Sequence, residues 1–280
     1  MKETDLYPPL KAWLELQGYV VRGEVGRCDL AAARDDELIA VELKVRPSLA
    51  LLAQAAERQE YADSVYVALP ATADRRRPPA SRDFRRLLGR LGIGLLLVTF
   101  LKTKTKVEVL MHPRQAAGEG CGPVPIDRGG DGDGRFAADD RAAFLPPRRR
   151  PKKKAALLRE ISGRDMDLTP GGLPGGAGRV TAYRQRAVRL AVWLGELGET
   201  KPAELVRLGA PADAGVILQK NLYGWFERVR RGVYRLHPSG RTALRDVPEL
   251  EALFRGELTA RNGGTEEGPK ARIGVSSAPP

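Results

Sequence analysis

The sequence predicts an α/β fold, a mixed sheet flanked by helices, followed by a small helical domain with a hairpin. Apolar strand-like runs alternate with amphipathic helical runs through the first hundred residues. Three further helical patterns precede a basic hairpin after a stretch rich in Gly and Pro. The charges divide in the same way, since residues 1–70 hold 8 Lys/Arg and 12 Asp/Glu, whereas residues 179–245 hold 13 Lys/Arg and 5 Asp/Glu.

The bulk composition excludes several classes of protein. No apolar run reaches the roughly 18 residues that span a membrane, and the N-terminus lacks the apolar segment of a signal peptide. Two cysteines, Cys28 and Cys121, cannot build a disulfide framework and favour a reducing compartment. We therefore expect a cytoplasmic protein with no membrane partner. The net charge of +12 favours a phosphate backbone as partner.

The first domain is expected over residues 1–111, in the order αβββαβαβ with a further edge strand. Its first helix, over 7–19, begins with Pro8 and Pro9 and ends near Gly18. Three strand candidates follow, "YVVRGEV", "CDLAAAR" and "ELIAVELKV". The remaining segments are a helix at 48–64, a buried strand at 65–70, a helix at 81–92, a buried strand at 93–100 and an edge strand at 106–111.

Two segments have the composition of linker or disordered chain. Residues 112–178 are rich in Gly and Pro and contain the basic stretch "RRRPKKK", which predicts a linker. "DGDG" at 131–134 lacks the closing Glu of a calcium loop, and "GGLPGGAG" lacks the Gly-Lys-Ser/Thr ending of a phosphate loop. Residues 258–280 are predicted to be a disordered tail.

The strand "AVELKV" at 40–45 carries charges on one face. Side chains alternate along a strand, so Glu42 and Lys44 share a face. A two-residue turn at 35–36 would pair Asp29 with Glu42, which places the two carboxylates about 5 Å apart at Cβ. Lys44 alone does not neutralise them, whereas Mg²⁺, or Mn²⁺ in its place, would complete the neutralisation. Metal-activated water beside a lysine is suited to phosphodiester hydrolysis.

These motifs carry a family resemblance. The stretches "ETDLYPPLKAWLELQGY", "CDLAAA", "AVELKV" and "LLAQAAERQEYAD" resemble the PD-(D/E)XK nuclease superfamily, and within it a group of largely uncharacterised bacterial proteins described as PD-(D/E)XK-type phosphodiesterases. The resemblance covers about the first third of the chain. It implies a restriction-endonuclease-like sheet, Mg²⁺-dependent phosphodiester cleavage, and a catalytic triad of Asp29, Glu42 and Lys44. Cys28 stands where the superfamily often has Pro.

Four further positions are candidates for the same site. The resemblance suggests Glu3 as a metal ligand; a frayed N-terminal acid is the alternative. Gln54 and Arg58 lie four residues apart on one helix face. Gln54 would belong to the catalytic set and orient a water molecule or a phosphate. The alternative is that its amide bonds the sheet backbone. Arg58 would bind nucleic acid. Glu24 lies near the site by strand order.

The C-terminal region, residues 179–257, has the element order of a winged helix-turn-helix domain. Its third helix would offer polar side chains to bases or phosphates, and its hairpin would place arginines against the backbone. These predicted nucleic-acid-binding residues are Gln219, Lys220, Asn221, Arg228, Arg230, Arg231 and Arg235. The alternative is a winged helix used for protein contacts.

The sequence therefore predicts a Mg²⁺-dependent nuclease that binds DNA through its C-terminal region. One alternative is a catalytically inactive DNA-binding or regulatory protein. A protein-interaction scaffold is another, and it would bind its partner with little dependence on salt. His112 and His237 lie beside prolines in loop-like contexts, so a triad or metal site built on histidine is disfavoured.

Overall fold

The protein is described by a computed structural model that covers residues 1–71, 80–101, 103–114, 149–173 and 179–263. The chain divides into two compact units, Met1–Ala182 and Tyr183–Pro280. Cys121, "DGDG" at 131–134 and residues 264–280 lie outside the described residues. None of the helices in the described ranges is long and apolar enough to cross a membrane.

The first unit contains a six-stranded mixed sheet, as the sequence predicts. The strands follow one another in space in chain order. The first three are antiparallel, the third, fourth and fifth run parallel, and the sixth returns antiparallel. Their bounds are β1 (Val20–Val25), β2 (Cys28–Arg34), β3 (Glu37–Leu43), β4 (Ser64–Pro70), β5 (Gly94–Phe100) and β6 (Thr105–Met111).

Helices cover both faces of this sheet. A short 3-10 helix (Glu3–Leu6) leads into α1 (Tyr7–Glu15), which packs on one face. The opposite face is covered by α2 (Leu49–Arg58), α3 (Arg82–Leu91) and α4 (Pro151–Ser162). Ser48 and Ser81 cap α2 and α3, since each hydroxyl accepts the backbone N–H three residues on.

The second unit begins with three helices and a hairpin in the predicted order, but the third helix ends at Lys220, before Asn221. Thr200, between the first two helices, adds a bridge to Tyr234, so the hairpin has a third partner. Two more helices follow, and Trp193 donates its indole N–H to the carbonyl of Phe254 in the last of them. The elements are α5 (Ala182–Leu197), α6 (Pro202–Arg207), α7 (Ala214–Lys220), β7 (Phe226–Arg230), β8 (Val233–Leu236), α8 (Pro238–Leu244) and α9 (Pro248–Gly263).

Two segments differ from the expected organisation. Helix α4 lies inside the expected linker. Its Leu157 and Ile161 are four residues apart and therefore share one face of the helix, and this face is buried against the sheet. Helix α9 continues into the expected tail, where Leu258 is buried. The described part of the expected linker, 149–173, therefore belongs to the first unit, and the second unit extends at least to residue 263.

Candidate active site

The β2–β3 hairpin brings Asp29 and Glu42 together. Its register runs from the Arg34–Glu37 pair to the Leu30–Val41 pair, and continuing it by one step brings Asp29 next to Glu42. The two carboxylates are close enough for the charge of Asp29 to act on Glu42. Asp35 occupies the turn with a φ of +51°, a conformation that Asp tolerates better than most residues. The predicted two-residue turn and the register of the pairs from Arg34–Glu37 to Leu30–Val41 are both found.

Asp29 is fixed by the strand that it faces. Its Oδ2 atom accepts a hydrogen bond of 2.8 Å from the backbone N–H of Leu43, at the end of β3. Burial raises the pKa of Asp29 to about 6, and the charges of Glu24 and Glu3 act in the same direction. The Leu43 hydrogen bond and the charge of Lys44 oppose this rise. Asp29 is therefore a carboxyl group that ionises only at the upper end of the acidic range.

Glu42 is held by Arg58, which is a correction to the predicted role of that arginine. Both side chains are almost completely buried, at 1% and 3% exposure, and Arg58 Nε donates to Glu42 Oε1 at 2.7 Å. The guanidinium also donates to the carbonyl of Arg27. Arg58 lies inside the protein because a buried carboxylate needs a cation, so it is not placed to meet a nucleic-acid backbone.

The two carboxylates also act on each other. Burial and, next, the charge of Asp29 raise the pKa of Glu42 to about 8, although Arg58 and Lys44 act to lower it. One guanidinium does not compensate the loss of hydration of two neighbouring acids. The pair therefore retains protons at a pH where exposed carboxyl groups are fully ionised.

Lys44 lies just beyond the end of β3 and pairs with Glu3. The ammonium Nζ donates to Glu3 Oε2 at 2.8 Å, and both side chains remain about one-quarter exposed. Burial lowers the pKa of Lys44, but Glu3 and the charges of Asp29 and Glu42 outweigh it and raise the pKa above its ordinary value. Lys44 is thus positively charged at neutral pH. Glu3 is connected to the site by its ion pair with Lys44.

Gln54 has an oxygen with no partner. Its Oε1 atom is buried and accepts no hydrogen bond within the described residues. Gln54 lies one turn before Arg58 on α2, hence on the same side of the helix as the arginine that contacts Glu42. A buried amide oxygen without a donor is costly, so this atom is a candidate to bind a cation or a water molecule.

Among the described residues, no group of three or more His, Cys, Asp or Glu side chains has an arrangement that could hold a metal ion by itself. The oxygens that the site offers are the carboxylates of Asp29 and Glu42 and the amide of Gln54. Hard divalent cations such as Mg²⁺ prefer oxygen ligands and keep several waters of their own. The donors therefore fit such an ion in chemical kind, with water completing the shell.

A strap formed by residues 164–173 packs beside the site, and no pattern in the sequence indicates it. The strap contacts the sheet so closely that a Cβ at Gly171 would lie 2.1 Å from the Asp29 carbonyl oxygen, and one at Gly23 would lie 2.1 Å from the Thr169 carbonyl oxygen. Only glycine permits this approach of backbone to backbone. The strap covers the ladder between β1 and β2 at the position of Asp29.

Two carboxylates anchor the strap. Glu24, itself at φ +51°, accepts the backbone N–H groups of Gly172 and Leu173 at 3.0 and 3.1 Å, and it pairs with Arg179. Glu24 therefore has a structural task in addition to its charge near Asp29.

At the other end of the strap, Asp167 accepts from Lys11, from the backbone N–H of Gly23 and from the hydroxyl of Tyr7. Burial, the Asp167 hydrogen bond and the Asp167 charge together raise the pKa of Tyr7 well above its usual range. The hydroxyl of Tyr7 thus stays protonated and acts as a donor to Asp167.

Part of the basic stretch at the start of α4 is paired with acids of the first unit. Arg150 pairs with Glu60 at 3.0 Å, and Lys154 pairs with Asp63 at 2.6 Å. Lys153 lies over the ring of Tyr61. These charges attach α4 to the region after α2, so part of the expected nucleic-acid-binding linker instead binds the protein's own acids.

In the second unit, the predicted nucleic-acid contacts divide into two groups. Gln219 and Lys220 are exposed on α7, and the side chains of Arg228, Arg230 and Arg231 are exposed with no partner among the described residues. Asn221 instead bonds the backbone of Phe226 with both its amide atoms, and Arg235 pairs with Glu227. Asn221 is therefore occupied as a structural cap and is not free to read a base.

One residue of the exposed face of α7 was not among the predicted nucleic-acid contacts. Val216 lies one turn before Gln219 and Lys220 on α7 and is half exposed, so the three share a face. The signal was available in the sequence, because the spacing of three and four residues is visible there.

The chain also resembles known proteins over part of its length. A family model described as "Putative PD-(D/E)XK phosphodiesterase (DUF2161)" matches residues 133–243. Over these residues the chain is similar to that family. The match supports the superfamily resemblance from a second part of the chain, since it includes α5–α7 and the β7–β8 hairpin but none of Asp29, Glu42 and Lys44. No curated protein and no solved structure matches the chain.

Proposed function

We propose that this protein is a phosphodiesterase that uses Mg²⁺, or Mn²⁺ in its place, to hydrolyse phosphodiester bonds of DNA. The observation that carries the proposal is the meeting of Asp29 and Glu42 across the β2–β3 hairpin, with the Lys44 ammonium at the end of the same strand. Such crowding destabilises a fold when both acids ionise, and perturbed carboxyl groups of this kind concentrate at functional sites.

The charge of Lys44 defines its part in the reaction. Because its pKa is raised, Lys44 is not a proton acceptor at neutral pH. Its ammonium is suited to bind a phosphoryl oxygen and to stabilise the negative charge that develops there. Glu3 holds the ammonium in place until a substrate phosphate competes for it.

The acids and Gln54 would hold the divalent ion. Asp29 and Glu42 supply charge and Gln54 supplies a neutral oxygen that is buried without a donor. When bound, the ion would supply a Lewis acid and a more acidic water ligand. Arg58 positions Glu42 by fixing one of its two oxygens.

The second unit supports nucleic acid as the substrate. Its order of three helices and a hairpin, with Thr200 as a third strand position, is the order of a winged helix. The exposed face of α7 and the hairpin arginines would meet bases and phosphates respectively. Arg228, Arg230 and Arg231 are available because their side chains have no partner among the described residues.

The test measures cleavage of four substrates in the presence of Mg²⁺ or Mn²⁺. They are plasmid DNA, linear duplex DNA, single-stranded DNA and RNA. Wild type is compared with Asp29→Ala and Lys44→Ala, each expected to lose about a hundredfold or more in rate. The chain offers a matched control on β6. Lys106 and Glu108 are a lysine and an acid two residues apart, and they pair with each other on the surface. Lys106→Ala and Glu108→Ala should cleave as wild type does.

A second candidate function is a DNA-binding protein without catalysis. One observation favours it, because Arg58 already supplies Glu42 with a cation at 2.7 Å. Wild-type protein that binds DNA and never cuts it with either ion would establish this reading. Equal cutting by wild type, Asp29→Ala and Lys44→Ala would instead place catalysis elsewhere in the chain.

A further inference from the structure

The second unit presents a short closed loop, residues 221–226, between α7 and β7. Asn221 closes it, since its side-chain N–H donates to the Phe226 carbonyl at 2.7 Å and its side-chain oxygen accepts from the Phe226 N–H at 3.1 Å. Asn221 and Gly224 adopt φ values of +43° and +67°. Both ends are thereby fixed, so the loop is held in one shape.

This loop exposes apolar and aromatic surface. Leu222 is 67% exposed and Tyr223 is 39% exposed, whereas Trp225 is buried. The rings of Tyr223 and Trp225 stack with their centroids 4.5 Å apart and a tilt of 24°, and the ring of Tyr183 lies 6.0 Å from Tyr223 on a steeper angle. Tyr223 is thus held in place by other rings although much of its surface faces solvent. Leu222 and the exposed part of Tyr223 are adjacent, so they form a small apolar patch on a fixed loop that a ligand can cover.

The surroundings of the loop are positively charged. Lys220 precedes it directly, and Arg228 lies two residues beyond it on β7. The neighbouring acid, Glu227, is paired with Arg235, which donates one hydrogen bond to each of its two carboxylate oxygens. Within the described residues, the side chains of Lys220 and Arg228 have no such partner. The complementary ligand is therefore an anion with a flat apolar group.

We infer that this loop binds an unpaired base where a DNA duplex ends or opens. Tyr223 would stack on the unpaired base, Leu222 would lie against the last base pair, and Lys220 and Arg228 would bind the flanking phosphates. The inference rests on the proposed binding of DNA by the second unit and specifies the form of that DNA. The exposed face of α7 directly precedes the loop, so one duplex meets the helix and the loop in succession.

An anionic lipid surface is the competing ligand for a basic loop with an exposed leucine. The observation that favours a base is the Tyr223–Trp225 stack, because a held ring offers a flat face to another ring. A lipid tail would bury apolar surface against this loop but would make no stacking interaction with the Tyr223 ring. Lipid is therefore an outcome of the test and not the proposal.

The test uses the full chain and fluorescence anisotropy at a salt concentration of roughly 0.15 M. The probes are a blunt duplex, the same duplex with a short single-stranded extension, and vesicles of anionic phospholipid. We expect the extended duplex to bind about tenfold more tightly than the blunt one. Tyr223→Ala and Leu222→Ala should remove that preference while blunt-duplex binding stays within about twofold of wild type.

Two variants control for folding and for chemistry. Tyr223→Phe keeps the ring and should keep the preference. Leu253→Ala removes an exposed leucine from α9 of the same unit and should change nothing. A 2-aminopurine base in the extension gives a direct signal, because stacking on Tyr223 should quench it with wild type and with Tyr223→Phe but not with Tyr223→Ala.

The outcomes separate this inference from the proposed function. Salt-dependent binding to both duplexes with equal affinity overturns the inference alone. No binding to any DNA overturns it together with DNA as the substrate. Binding to vesicles that needs Leu222 and Tyr223, with no effect of either variant on DNA, overturns it in favour of a lipid ligand.

Discussion

At the scale of single residues, the candidate site lowers the stability of the protein. Asp29 has a pKa of 3.8 when exposed and about 6 in the folded chain. Its ionisation in the fold therefore costs stability, and the cost is absent below about pH 4, grows from about pH 4 to 6, and is complete above that range. Groups that must be charged for function are commonly retained at such a cost.

Asp29→Asn should stabilise the protein when divalent ions are absent. The amide oxygen can still accept from Leu43, and the cost of ionisation is removed, so we expect a gain of about 2 kcal/mol above pH 6 and little gain near pH 4. Thermal unfolding over this pH range measures it. Asp36→Asn is the matched control, because Asp36 is an exposed acid in the turn of the same hairpin, and it should give no gain at either pH. A gain from Asp29→Asn that does not vary with pH would contradict the assignment.

The buried pair of Glu42 and Arg58 should show strong coupling. Arg58→Met leaves Glu42 without its cation and should cost about 3 to 5 kcal/mol at a pH well above 8, where the carboxyl is ionised in the wild type. The double change Glu42→Gln with Arg58→Met should recover most of that loss, because no buried charge remains. Urea unfolding of the four proteins measures the coupling. Additive single losses would show that the two side chains do not depend on each other.

The sequence predicted that Asp29 and Glu42 lie near each other beside Lys44, but it did not predict the residues that these side chains contact. Asp29, Glu42 and Lys44 follow from strand alternation and one turn, both of which are local. Arg58 was assigned to nucleic acid, although a cation within the apolar face of α2 needs a buried anion. That anion could have been identified, since Glu42 is the acid on the strand that α2 follows.

At the scale of elements, the strap and α4 complete the first sheet. The free edge of β1 would otherwise expose unpaired backbone groups. Arg164, at the start of the strap, donates to the carbonyls of Gly23 and Glu24 on that strand. The strap thereby satisfies backbone groups of β1 and fixes the environment of Asp29.

Gly171→Ala should release the strap. The added methyl would lie 2.1 Å from the Asp29 carbonyl oxygen, so either the strap or β2 must move. We expect a loss of about 1 to 3 kcal/mol in stability. Amide hydrogen exchange of residues 164–173 should also become faster. Gly256→Ala in α9 is the control, since a Cβ there meets nothing, and it should be neutral or stabilising. Unchanged exchange in the strap would contradict the contact.

Strands and helices with clear periodicity were predicted, and the other elements were not. The order of β1 to β6 follows from apolar runs and turn residues. Helix α4 was hidden by its charges and by the Gly/Pro-rich stretches on either side, although Leu157 and Ile161 have helical spacing. The strap has no periodicity, because its conformation is set by distant partners such as Glu24 and Tyr7.

At the scale of the whole chain, positive charge is used in two ways. Before and within α4 it is paired with acids of the first unit. On the β7–β8 hairpin it is exposed without acidic partners among the described residues, apart from Arg235. Net charge alone therefore overstates the surface that is free to attract phosphate.

The salt dependence of DNA binding should distinguish the two sets of charge. Each of Arg228→Ala, Arg230→Ala and Arg231→Ala should reduce the slope of log Kd against log salt by about one. Arg150→Ala and Lys154→Ala should leave the slope unchanged, because those charges face Glu60 and Asp63. Titrations over a range of salt measure the slopes. A lower slope for Lys154→Ala would mean that DNA displaces α4 from its acids.

The strap also has a consequence for synthesis of the chain. All six strands are complete once residue 111 has been made, but the cover of β1 is supplied by residues 164–173. At about 5 to 20 residues per second, the ribosome needs roughly 3 to 12 seconds to add the intervening chain. During that interval the nascent protein has an uncovered strand edge. A chaperone that binds extended apolar segments would meet this protein at that stage, before Asp29 has acquired its final surroundings.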